Sequence, residues 1–265
     1  MSPRALILAA GLPFVSLHAA ELKPETATAF DRYIKVTEEE MSQHLGFGDF
    51  LWMDRHPDKK SLVWLGQSTI VPLTTLDHGQ EIEVPGGVIQ HWLGLVYLEK
   101  ATLDKISAIL LNFSEYHNMI PREIMESKTA KHEGDQSEAF LRLYKKQISA
   151  VVLNVNEAAT YKMLDASRAA IACHSTHIGE VEHPKNKKKL DEEVDDSAGY
   201  LWRLNFYLRM EQADNGVYVE IETITLARQT GLINTSRFLT GFQSYPHELT
   251  QGFIDALEYI YPHHR

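Results

Sequence analysis

"GYLWRLNFYLRMEQADNGVYVEIETITLAR", residues 199–228, decides the fold. Apolar residues recur at every second place on both sides of "ADNG", the period of paired strands with one face in a core. Asn215-Gly216 is a strong hairpin signal. With that pair at the centre of the turn, Asp214 opposes Val217, Glu211 opposes Glu220 and Arg209 opposes Glu222. Arg203, Asn205, Tyr207, Arg209 and Glu211 then share a face with Tyr218, Glu220, Glu222, Ile224 and Leu226. The opposite face holds Trp202, Leu204, Phe206, Leu208 and Met210 with Val219, Ile221, Thr223 and Thr225, and is the expected core surface.

The polar face allows two readings. On a solvated surface each cross-strand ion pair contributes only about 0.2–1 kcal/mol. Alternatively Arg203, Asn205, Tyr207, Arg209, Glu220 and Glu222 form a network that lines a cavity, with a ligand head group completing it. Burial of those charges costs several kcal/mol per ion unless each is paired.

Strand patterns continue upstream at 67–75 and 86–99, and then in series at 123–131, 137–147, 149–164 and 168–182. Short turns between them favour an antiparallel meander. A helical pattern interrupts the series at 102–120, with Thr102 as N-cap and Leu103, Ile106, Ile109, Leu110 and Phe113 on one stripe; Pro121 stops it. At the other end of the chain Phe238, Phe242, Tyr245, Leu249, Phe253, Ala256 and Ile260 recur at helical spacing. Pro246 should divide this stretch into a short helix and a longer one. Leu249, Gly252, Phe253 and Ala256 face the sheet; the two small residues either permit close packing or leave room for a bound molecule.

Ahead of the sheet, residues 24–45 read as a helix with Phe30, Tyr33, Ile34, Met41 and Leu45 on one side. Residues 49–67 read as short helical pieces covering one edge of the main domain. The first twenty residues have Arg4, an apolar run from Ala5 to Leu17 and then Ala19-Ala20, the order of a secretory signal peptide. The expected division is a signal peptide at 1–20, a helical segment at 21–66 and the main domain at 67–265, with export to the periplasm or medium after cleavage near Ala20.

The strand, helix and Pro-containing turn of "GGVIQHWLGLVYLEKATLDKISAILLNFSEYHNMIPREIMESK", together with the 199–228 hairpin running into the final helix, resemble the helix-grip fold of the START and Bet v 1-like (SRPBCC) superfamily. The likeness covers roughly residues 67–262 and extends to a group of exported bacterial proteins with the same paired-strand signature. It implies an α+β fold, a curved antiparallel sheet wrapped around a long C-terminal helix, here with an extra N-terminal helix. It also implies a cavity between sheet and helix for an apolar or amphipathic molecule. Trp202, Leu204 and Phe206 are then its apolar wall, with Leu249, Gly252, Phe253 and Ala256 opposite. The superfamily has no universal catalytic motif to carry over, and fold alone does not give function.

The residues narrow the remaining chemistry. A net charge of −10, from 36 acids against 26 bases, argues against nucleic acid as a partner. No unbroken apolar tract is long enough for a transmembrane span. The single cysteine, Cys173, lies in apolar "AAIACH" and reads as a buried, inert thiol. His174 and His177 are three apart in a strand, which points their rings to opposite faces and argues against a shared metal. No phosphate loop or nucleophile elbow is present, and no metal or cofactor is expected. An enzyme of the cyclase, dehydratase or hydrolase type is the alternative to a binding protein; His91, Tyr116, His117, His174 and His177 are its acid–base candidates if they face the cavity. Residues 183–199, with four lysines followed by five acids, are either a docking loop for a protein partner or a solvated hairpin tip.

Overall fold

The computed structural model describes residues 22–46, 48–146, 150–194, 199–229 and 244–263. The signal peptide expected at 1–20 and the short helix expected around Phe238 and Phe242 lie outside the described residues.

Helix α1 spans Pro24–Gln43, a 3-10 turn Trp52–Arg55, and α2 Pro57–Trp64. Strand β1 (Thr69–Pro72) follows, then a two-strand ribbon of β2 (Leu76–Asp77) and β3 (Gln80–Glu81), and β4 (Gly87–Glu99). The expected 102–120 helix is α3 (Leu103–Leu111), a 3-10 turn Phe113–Glu115 and a single turn α4 (Tyr116–Met119). Six long strands complete the sheet: β5 (Ile124–Glu133), β6 (Gln136–Lys146), β7 (Ala150–Met163), β8 (Arg168–Glu180), β9 (Leu201–Ala213) and β10 (Gly216–Arg228). Helix α5 (Tyr245–Ile260) ends the chain.

All eight strands of the main sheet pair antiparallel in the order β1-β4-β10-β9-β8-β7-β6-β5. The sheet curves around α5, which packs on β4 and β10; α3 packs on β9 and β8, and the turns at 113–119 on β5 and β6. The concave face carries the main core, in which Leu204, Phe206, Leu208 and Met210 meet Leu249, Phe253, Ile254 and Leu257. Close approach of α5 depends on Gly94 of β4, where a Cβ would come within 2.6 Å of Thr250 Cγ2 and 2.9 Å of Ile254 Cδ1.

The 199–228 hairpin keeps its expected faces but not its expected turn. Ala213 pairs with Gly216, so Asp214 and Asn215 are the central residues and Arg209 opposes Glu220 rather than Glu222. Gly216 belongs to the ladder because it pairs with Glu99 of β4, and a Cβ there would lie 2.4 Å from the Leu98 carbonyl oxygen. A shift of two residues preserves every side chain's face. Gln212 fixes this end: its Oε1 accepts the Leu103 N–H at 2.8 Å, capping α3, and its Nε2 donates to Gly216 O at 2.8 Å. Thr102 occupies the N-cap position of α3 without a side-chain cap bond.

A β-bulge between Leu226 and Ala227 changes one placement. Leu226 pairs with Arg203 and Ala227 with Leu201, leaving Trp202 as the extra residue. Trp202 therefore packs with Phe30, Tyr33 and Ile224 on the convex side, and not against α5 with Leu204 and Phe206. The N-terminal segment is likewise not an edge cover: α1, the 52–55 turn and α2 lie on the convex face, closing two further clusters around Phe50, Met53 and Leu93 and around Phe30, Tyr33 and Leu226. The described part of the charged 183–199 stretch, residues 183–194, folds back onto the sheet. Val181 bridges to Glu193, Arg142 Nη2 donates to Asp191 at 2.6 Å, and Asn154 Nδ2 donates to Leu190 O at 2.9 Å.

Candidate functional sites on the two faces of the sheet

The polar face of the hairpin is neither solvated nor turned toward α5. Glu220 and Glu222 are 0% and 3% exposed beneath the N-terminal segment. Arg209 Nη2 lies 2.9 Å from Glu220 Oε2 and 3.5 Å from Glu222 Oε2, and its Nη1 donates to Phe50 O at 3.1 Å. Glu220 accepts the Trp52 and Met53 N–H groups at 3.0 and 2.8 Å, satisfying donors left open at the start of the 52–55 turn. His91 Nε2 contacts Glu222 Oε1 at 2.6 Å, and its Nδ1 contacts Tyr33 OH at 2.9 Å. Tyr33 OH accepts the Thr75 N–H at 2.9 Å. Tyr207 OH donates to Glu38 at 2.8 Å, with Asn205 Nδ2 at 3.5 Å from the same hydroxyl, while Arg203 turns to its own strand and donates to Trp202 O at 2.8 Å. Five of the six expected network residues thus meet partners from the N-terminal segment or from their strand neighbours in one buried layer.

This layer fits an interlock between chain segments better than a reaction centre. Both His91 nitrogens are engaged, so the ring presents no free nitrogen for acid–base work. A recess of about 90 Å³ lies beside His91, Arg209 and Glu222. Burial pushes the Glu220 carboxyl up, and Arg209 with the two N–H donors offsets this only in part. Burial acts on Glu222 in the same direction, but His91 and then Arg209 outweigh it, and the group ends below the ordinary carboxylate value. A carboxylate with a depressed folded-state pKa stabilises the fold above its unfolded value, near pH 4.3, and that stabilisation is lost as pH falls through the folded value. The stability gap between the wild type and Glu222→Gln should therefore narrow below about pH 4 in urea unfolding. A gap that stays constant down to pH 3 would show that Glu222 is not held ionised.

The other acid–base candidates are also tied. Tyr116 OH donates to Leu110 O, and His117 Nδ1 contacts Ser127 Oγ at 2.9 Å. A bulge in β8 places His174 and His177 on the same, convex face, contrary to simple alternation, because Asn156 pairs with His177 and Glu157 with Ser175. Each ring takes its own carboxylate, Glu38 at 3.4 Å and Glu193 at 2.7 Å. Cys173 is buried on the concave face, where burial pushes its thiol well up.

The four helix residues divide. Leu249 and Phe253 point into the core, Phe253 meeting Tyr116 edge-on at 5.1 Å and Phe206 at 6.0 Å between ring centroids. Gly252 and Ala256 line a groove of about 830 Å³ between α5 and residues 118–123. A Cβ on Gly252 would come within 3.0 Å of Ile120 Cγ2 and 3.3 Å of Glu123 Oε2, so the glycine serves the approach of that turn.

Glu157 is the site residue that the sequence reading missed. It lies on the concave row of β7 with Val155 and Ala159 two places to either side, and pairs with Ala139 and Ser175. It is 3% exposed, and among the described residues neither carboxyl oxygen has a hydrogen-bond partner. Burial alone pushes its carboxyl well above the ordinary carboxylate range, in surroundings of Tyr116, Cys173 and alanines that favour the uncharged form. None of the described helices makes its main contact on β7. The signal was present: in "LNVNEAAT" the alternation Leu153, Val155 places residue 157 on the apolar row.

A curved eight-stranded antiparallel sheet closed around a C-terminal helix is the helix-grip fold of START and Bet v 1-like proteins. Solved structures with this fold include a STAR-related lipid transfer protein fragment from Xanthomonas axonopodis, 14% identical with a TM-score of 0.47, covering 68% of this chain and 96% of that one. They include also the Zhui aromatase/cyclase from Streptomyces sp. R1128 (8% identity, TM-score 0.46, 64% and 92% covered). A third is a START superfamily protein from Mycobacterium smegmatis (13% identity, TM-score 0.42, 66% and 96% covered). No family model and no curated protein matches the chain. Among the described residues, no helix is long and apolar enough to cross a membrane.

Proposed function

We propose that this chain is an exported binding protein that holds an apolar or amphipathic small molecule on the concave face, between the sheet and the helices that cross it. The observation that carries the reading is Glu157, a buried acid whose two oxygens find no partner among the described residues, beside the apolar Val155, Ala159 and Ala139. A buried polar group left unsatisfied costs about 1–3 kcal/mol, and a ligand that hydrogen-bonds to it removes that cost. The polar layer on the convex face gives no competing site of lipid size, since its recess measures about 90 Å³. Export rests on the arrangement of residues 1–20, with Arg4 ahead of the apolar run and Ala19-Ala20 behind it.

Native mass spectrometry of the protein after incubation with a total lipid extract tests this. The wild type should carry an adduct of lipid mass that exchanges with added extract. Glu157→Leu should carry less of it while being more stable than the unliganded wild type by about 1–3 kcal/mol in urea. A wild type that stays free of any adduct would refute the binding role.

A further inference from the structure

Resting on the binding role just proposed, the geometry points to a ligand class: we infer that the concave face selects molecules whose single polar group is neutral and hydrogen-bonding, such as a long-chain alcohol, over the corresponding acids. The selection follows from what the face carries and what it lacks. Along the concave rows of β6 to β10 the described residues include one cation, Lys145, and it is paired with Glu248 of α5. Against it stand two carboxyl groups. Glu157 occupies the middle of β7, and Glu180, paired with Leu153, lies four residues along, roughly 13 Å away at strand spacing. Glu180 also has an oxygen, Oε2, that is buried without a partner.

A fatty acid or phosphate monoester placed there meets no unpaired cation among the described residues of these strands and faces two acids, so it must either take up a proton or bury its negative charge. A hydroxyl asks for neither. It donates to one oxygen of the Glu157 carboxyl and accepts from the other, so both oxygens gain partners while no charge is buried. An ammonium is disfavoured for the complementary reason: it would have to ionise Glu157 and bury two charges in the apolar wall formed by Ala139, Val155, Ala159 and Cys173. The wall and the acid together describe an occupant with an apolar body and one uncharged polar end.

The test is a displacement titration with hexadecanol, hexadecanoic acid and hexadecylamine against the neutral fluorophore N-phenyl-1-naphthylamine, at pH 7.5. It uses the wild type, Glu157→Gln and Glu157→Leu, each checked for native circular dichroism. The alcohol should bind about ten-fold or more tightly than the acid or the amine. Glu157→Gln, which keeps a donor and an acceptor, should stay within about three-fold of the wild type for the alcohol, and Glu157→Leu should lose the preference. An acid that binds as well as the alcohol, an amine that binds best and tightens as pH rises, or a preference that survives in Glu157→Leu would each overturn the ligand class while leaving the binding role standing. A wild type that binds neither the fluorophore nor any of the three chains would remove the binding role itself.

Discussion

Arg209→Met should destabilise the protein by about 3–5 kcal/mol, the cost of removing one partner from a buried charge cluster. At a few degrees per kcal/mol for a chain of this size, the melting temperature should fall by roughly 6–20 °C. The methionine keeps most of the stem's packing volume, so the loss reports the charge. Without the guanidinium, Glu220 retains only the Trp52 and Met53 N–H donors, and Glu222 retains only His91. The Phe50 carbonyl loses its donor as well. Glu220→Leu introduced together with Arg209→Met should recover part of the loss, because one buried charge then disappears with its partner. A single substitution that costs less than 1 kcal/mol, the value of an exposed pair, would mean that water reaches this layer. Thermal and urea unfolding by circular dichroism give both numbers.

Phe253→Ala should cost a similar amount, about 3–5 kcal/mol, for a different reason. Phe253 is 3% exposed and is the point where α5, α4 and β9 converge, through its edge-on contacts with Tyr116 and Phe206. Deleting the ring removes transfer free energy and leaves a cavity that Gly94 and the Thr223–Thr250 hydrogen bond, 2.8 Å long, prevent α5 from closing by sliding. The loss is also expected to be partly reversed by added hexadecanol, since the new space adjoins the concave face. A cost below about 2 kcal/mol without ligand would indicate that Phe253 borders open volume in the native protein and was never fully packed.

The fold was legible because it rests on local periods. Alternation marked all the long strands, and helical spacing marked α1, α3 and α5. The faces of the 199–228 hairpin were legible for the same reason, since even a register error of two residues leaves them unchanged. Its turn was not, because Gly216 is set by the approach of the Leu98 carbonyl from a strand more than a hundred residues away. Trp202 and the pair His174 and His177 were misplaced by single bulged residues, which reverse the alternation with no strong local cue.

The two glutamates were the harder case. Glu220 finds its partners on Trp52 and Met53, 168 and 167 residues distant along the chain, and Glu222 on His91, 131 residues distant, and no local pattern shows that α1 and the 52–55 turn lie on the convex face. The polar inventory of two acids, two arginines, an amide and a phenol was read with one arginine too many, since Arg203 turns to the Trp202 carbonyl, and its location was not foreseen. Glu157 shows the converse. Its phase on β7 was available from alternation alone, and its significance depends on what surrounds it, which only the packing of Tyr116 and Cys173 supplies.

Intermolecular NOEs between hexadecanol and a methyl-labelled protein test most directly which face holds the ligand. The account predicts cross-peaks from the chain's methylenes to the methyl groups of Leu141, Val155 and Leu208, which line the concave core, and a shift of the Glu157 carboxyl carbon. Cross-peaks confined to Leu93, Ile224 or Met53 on the convex side would contradict it.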